Sequence, residues 1–207
     1  FGPRSGAGLA LNRFPSRKNK EAEKSAIRVG VLGLGVGTVA AYGKPNDFFR
    51  FYEINSEIES AAREYFSYLN NSKAGIEVVM GDGRRSMQRE LEKDGSQQYD
   101  VIIVDAFSGD AIPIHLLTKE ASDLYWQHLK ENGVLALHIS NFHVDLSDVV
   151  RQMAIHANKE AIYIDDPGGG KRFTSSDWVI ITSNQAFLND SYVRKFQDDW
   201  HHELKPI

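Results

Sequence analysis

The sequence of 207 residues contains no cysteine. Disulfide frameworks and thiolate zinc sites are thereby excluded, and a reducing compartment fits. Long apolar runs are also missing. None reaches the ~18 residues that a membrane span requires, and no signal-peptide core follows the N-terminus. Nor is there an excess of positive charge: 24 lysines and arginines face 28 acids, for a net charge of −4. The composition therefore points to no nucleic-acid partner. The seven histidines lack the spacing of metal ligands, and no metal is expected. A nucleophile elbow with Ser-His-Asp order is absent. GGGK at 168–171 fails the phosphate-loop pattern and reads as a β-turn.

What is present suits one α/β domain with a proper core and is too short for two comfortable ones. Residues 1–26 are expected to be a partly disordered leader, with a solvated charge cluster over Arg17–Lys24. Ser5–Leu11, SGAGLAL, leaves open an ordered piece that packs near a crevice. Residues 27–207 form the domain. Phe1 in place of a methionine implies a processed or excised piece.

The chain is organised around Ile27–Tyr42, IRVGVLGLGVGTVAAY. An apolar run at 27–33 predicts a strand buried on both faces. Glycines at 33, 35 and 37 follow, and Thr38 opens a helix over 37–43 that Gly43 and Pro45 end. Glycine lets backbone approach a ligand where a Cβ would block it. A dinucleotide fingerprint would need its third glycine at Thr38. The G-x-G-x-G spacing found here instead suits the nucleoside loop of S-adenosylmethionine-type transferases.

Six further strands are predicted at 48–53, 76–80, 99–105, 134–139, 161–164 and 178–182. Between them lie helices from a Ser56 cap to about Leu69, from the GDG turn to about Lys93, and over 118–130 and 147–158, with a terminal one at about 190–203. This alternation implies a doubly wound, mostly parallel, seven-stranded sheet. Phe48, Phe49, Phe51, Tyr125 and Trp126 are assigned to the core.

In such a sheet ligands bind beyond the carboxyl ends of the strands. Those ends carry the glycine loop, Glu53, Asp82 with Gly83, and Asp105 with Asp110 five residues on. Four carboxylates at one edge repel each other, and a cationic ligand with hydroxyls to hold would relieve them. Glu53 is placed to accept from both ribose hydroxyls; its alternative is an ion pair with Arg50. Asp82 either accepts from an adenine amino group or caps the helix beginning at Arg84. Asp105 has a ligand role, and Asp110 either joins it or shapes the turn before Pro113. His138 is the one histidine expected to face the crevice.

GLGVG, FYEIN, GDGR and YDVIIVDAFSGDAIPIHLLTKE, in this order, resemble the spermidine synthases, or polyamine aminopropyltransferases. The closest likeness is to spermidine-synthase-like domains attached to bacterial membrane proteins. The resemblance covers about residues 27–142. It implies a class I S-adenosylmethionine-dependent methyltransferase-like (Rossmann-like) fold, with decarboxylated S-adenosylmethionine or S-adenosylmethionine as co-substrate. A polyamine nitrogen is the implied acceptor. Gly33, Gly35, Gly37, Glu53, Asp82, Gly83 and Asp105 would bind the nucleoside ligand, and Asp105 and Asp110 would act in catalysis. The aspartate of the family's glycine loop falls on Val36, and the second aspartate of its strand-4 segment falls on Ser108. A methyltransferase on another acceptor is an alternative, as is a non-catalytic ligand-binding domain of a larger membrane-associated protein. The expected location is the cytoplasm, with a homodimer among the options.

Overall fold

The structure, a computed structural model, describes residues 1–21, 25–107, 112–141, 144–169 and 173–200. Val101 and Ile103 send their side chains to one face of a sheet, Ile102 and Val104 to the other, and all four are fully buried. A strand apolar on both faces belongs in the middle of a sheet. This strand, β4 (Tyr99–Val104), has that place. Around it lie β1 (Arg28–Leu32), β2 (Phe48–Glu53), β3 (Gly75–Met80), β5 (Leu129–His138), β6 (Glu160–Asp166) and β7 (Ser176–Thr182). Their order is β3-β2-β1-β4-β5-β7-β6. β1 to β5 run parallel, and β7 enters antiparallel between β5 and β6. The predicted doubly wound, mostly parallel fold is therefore the observed one. Chain direction across the sheet reverses between β1 and β4, which opens the crevice there.

Two apolar layers cover the sheet. One gathers α1 (Gly6–Arg13), Ala62 of α2 (Ser56–Tyr65), Val29 and Val31 of β1, and Val101 and Ile103 of β4. The other gathers Met87 of α3 (Gly83–Asp94), Ala121, Leu124 and Tyr125 of α4 (Lys119–His128), and Val150 and Met153 of α5 (Ser147–His156). Phe49, Phe51 and Tyr125 are core, as predicted, whereas Phe48 and Trp126 are half-buried.

Several expectations change. Within the predicted leader, residues 6–13 form a helix whose Ala7, Leu9, Ala10 and Leu11 are buried in the core. SGAGLAL is thus ordered, but it packs into the core against β4, β5 and β7, and none of its residues lines the cavity at the sheet's carboxyl edge. Arg17, expected in a solvated cluster, donates to both Asp47 oxygens at 2.9 and 2.7 Å with its side chain 2% exposed. Helix 37–43 is a 3-10 turn over Thr38–Tyr42, closed by i to i+3 bonds before Gly43 and Pro45 stop it. Asn55 rather than Ser56 caps α2, accepting from the Glu57 amide. α2 also stops at Tyr65, short of Leu69, which turns inward to pack against Gly37. The terminal helix shortens to α7 (Ser191–Phe196), which follows the single turn α6 (Gln185–Leu188). After Phe196 the chain extends, and the Asp198 amide donates to the Tyr163 carbonyl; residues 201–203 of that prediction lie outside the described residues.

Candidate functional site

The carboxyl ends of β1, β2 and β4 meet around a cavity of about 690 Å³. Gly33, with φ of 96°, directly follows β1; a Cβ there would lie 2.3 Å from the Asp105 carbonyl oxygen. Gly35, with φ of 51°, has open space on its side-chain side. Both line the cavity. Gly37, counted with them in the sequence, does not: its φ of 80° starts the 3-10 turn, and its Cα faces Leu69.

Glu53 closes β2, is 8% exposed and lines the cavity. Its carboxylate accepts from the Leu34 amide at 3.0 Å and from the Asn55 amide at 2.9 Å. A carboxylate offers about four lone-pair sites, so acceptor capacity remains for hydroxyls. The alternative pairing with Arg50 does not form, since that guanidinium binds Glu77 and Glu90. Asp82 serves the cap and the cavity together. One oxygen accepts from the Arg85 amide at 2.8 Å, while the other lies 3.2 Å from His115 Nε2. Gly83 follows it into the cavity wall.

Asp105 directly follows β4 and lies beside His138 at the end of β5, because the two strands are neighbours. His138 Nδ1 is 2.7 Å from Asp105 Oδ1, and its Nε2 is 3.0 Å from Ser140 Oγ. Burial pushes the Asp105 carboxyl above its ordinary value, while the hydrogen bond and charge of His138, and then the charge of the Phe1 ammonium, oppose that rise. The His138 ring stacks on Trp178, with centroids 4.6 Å apart and an angle of 9°, and tilts against Phe107.

Gly33, Gly35, Glu53, Asp82, Gly83 and Asp105 thus share one cavity. Asp110 lies outside the described residues, as does Ser108. His138 faces the cavity as expected, but His115 joins it. Nothing in sequence spacing marks His115; its place just after Pro113, in the turn beyond β4, is the available clue. Tyr52, Ile54, Ile58 and Phe107 also line the cavity without having been foreseen. Among the described lining residues there is no lysine or arginine. Among the described residues no group of three histidine, aspartate or glutamate side chains is placed to hold a metal, and no helix is long and apolar enough to cross a membrane.

A family model described as the spermine/spermidine synthase domain matches residues 14–161. The polyamine aminopropyltransferase of Vibrio vulnificus is 33% identical over 132 residues, which are 62% of this chain and 39% of that relative. Among solved structures, a probable spermidine synthase from Corynebacterium glutamicum has a TM-score of 0.63 at 20% identity. The alignment covers 87% of this chain and 66% of that one. Human methyltransferase-like protein 13, in complex with SAH, also has a TM-score of 0.63, at 18% identity, covering 94% and 91%. These structural likenesses place the fold with spermidine synthases and class I methyltransferases.

Proposed function

The chain belongs to the spermine/spermidine synthase family, and from that premise we propose that its cavity seats an adenosyl sulfonium, decarboxylated S-adenosylmethionine, for aminopropyl transfer to a polyamine nitrogen. The observation that carries this reading is electrostatic. Glu53, Asp82 and Asp105 line a largely apolar cavity, and no lysine or arginine joins them among its described lining residues. Anionic phosphate would be repelled there, whereas a sulfonium and a protonated amine neutralise the carboxylates. Glu53 would accept from the ribose hydroxyls, Asp82 from the adenine amino group, and Asp105 would hold the cationic end and the acceptor. Asp110 remains the second candidate acid. In the transfer, the amine gives up a proton, and its nitrogen bonds to the carbon beside sulfur. The carbon–sulfur electron pair stays on sulfur, and methylthioadenosine leaves.

S-adenosylmethionine-dependent methyl transfer is the second reading, favoured by a fold shared with methyltransferases. The two ligands differ by one carboxylate. Unit charges ~4 Å apart near a protein surface interact by roughly 4 kcal/mol, so a methionine carboxylate near Asp105 would weaken binding. Competition calorimetry should find decarboxylated S-adenosylmethionine bound at least about tenfold more tightly than S-adenosylmethionine, about 1.4 kcal/mol. The reverse order would favour methyl transfer. Affinity for neither would leave the domain without this nucleoside function.

A further inference from the structure

His138 has both ring nitrogens engaged. Nδ1 meets Asp105 Oδ1 at 2.7 Å, and Nε2 meets Ser140 Oγ at 3.0 Å. The distances have the pattern of a Ser-His-Asp row, which the sequence order had not suggested. Ser140 is nonetheless unsuited to be a nucleophile. Its Oγ accepts from the Asp177 backbone amide at 2.7 Å, and the residue is not part of the cavity lining. Its hydroxyl is anchored to β7 and has its own proton left to donate. Donation to Nε2 leaves the ring proton on Nδ1, where it faces the carboxylate.

The imidazole is 12% exposed and fixed on its faces by the Trp178 stack, the Phe107 ring and the Phe1 ring edge. Among the described residues, Asp105 is the charged side chain in contact with it; Asp177 reaches Ser140 through its backbone. Because neither nitrogen is free, His138 acts on an acceptor only through Asp105. Asp105 lines the cavity, and no described residue hydrogen-bonds its Oδ2.

We propose that His138, locked by Ser140, is a positioning residue that holds Asp105 by Oδ1, favours its carboxylate form against burial, and leaves Oδ2 turned to the proton of the acceptor amine. The proposal rests on the amine-transfer reading above and assigns a role that spacing did not reveal. The proton passes from the ammonium to Asp105 Oδ2. The freed nitrogen pair forms the new bond to carbon, and the carbon–sulfur pair leaves with the thioether. Burial works against the carboxylate form, and the Nδ1–H bond works for it. A carboxylate buried without such a donor would hold its proton and could accept no other.

The test uses the whole chain with His138→Leu, His138→Gln and Ser140→Ala. Carbon NMR follows the Asp105 carboxyl through a pH titration, its signal identified by its loss in Asp105→Asn. His138→Leu should raise the Asp105 midpoint by about one pH unit or more, a tenfold change in proton affinity. His138→Gln, which restores a donor, should recover much of that shift. Methylthioadenosine affinity should stay within about threefold in Ser140→Ala, whose side chain lies outside the cavity lining. The acid limb of the single-turnover transfer rate should move to higher pH in His138→Leu and back in His138→Gln. An unchanged Asp105 midpoint in His138→Leu overturns the proposal. If that variant does not fold, Ser140→Ala decides: a smaller upward shift supports the proposal, and none overturns it. A wild type that transfers no aminopropyl group would defeat the amine-transfer reading, while the carboxyl titration still decides the role of His138.

Discussion

Gly33 and Gly35 differ in what a methyl group would meet. Both have positive φ, and a left-handed conformation costs a non-glycine residue about 1–2 kcal/mol. At Gly35 that is the whole cost, because open space surrounds the added Cβ. At Gly33 the Cβ would also collide with the Asp105 carbonyl oxygen at 2.3 Å. Gly35→Ala should therefore lower unfolding free energy by about 1 kcal/mol, and Gly33→Ala by about 3 kcal/mol or more. Urea denaturation of the two variants checks this. Equal losses would mean that β1 and β4 can separate at little cost, and that Gly33 is there for some reason other than strand contact.

α1 is joined to the rest by charge as well as by its apolar face. Arg13 in its last turn donates to both Asp190 oxygens, at 3.1 and 2.8 Å, and Lys18 lies 3.1 Å from the same carboxylate. Asp190 also caps α7, accepting from the Tyr192 and Val193 amides. These partners outweigh burial and hold the Asp190 carboxyl well below the ordinary range. A carboxyl depressed in the folded state stabilises the fold above its unfolded value, ~3.9 for aspartate. That stability disappears as pH falls from there through the folded value. Asp190→Asn should cost about 1–3 kcal/mol at pH 7. The gap from wild type should narrow as pH drops below about 4. Denaturant titrations at several pH values measure it, and a gap that stays constant down to strong acid would show that charge at Asp190 contributes nothing. The glycine loop presents an element of another kind. The 3-10 turn of five residues that follows it offers little of the aligned dipole on which pyrophosphate sites rely. This agrees with Thr38 in the place of a third fingerprint glycine.

At the scale of the whole molecule, the sheet was legible because its central strands are apolar at consecutive positions and its turns carry glycine. YDVIIVD could hardly be anything but a buried strand, and an acid at the end of such a run stands out. Glu53, Asp82 and Asp105 were readable for that reason, and their meeting in one cavity followed from parallel strands. The bond between His138 and Asp105 was not readable, because it depends on β4 and β5 being neighbours and on two rotamers. α1 was hidden by its own composition: Gly6 and Gly8 lower helix propensity, and burial against β4, β5 and β7 overrides it. That Gly37 packs against Leu69 and stays out of the cavity lining was not readable, because spacing alone does not tell which way a glycine of the loop faces. The fold and the family are thereby fixed, and the ligand remains the central claim. Isothermal calorimetry with decarboxylated S-adenosylmethionine, on wild type and on Glu53→Ala, tests it most directly. Wild type should bind one equivalent, Glu53→Ala should bind at least about tenfold more weakly, roughly 1.5–3 kcal/mol, and NAD should give no micromolar binding in the same cell. Wild type that binds no adenosyl sulfonium, or a variant that binds it equally well, would contradict the assignment.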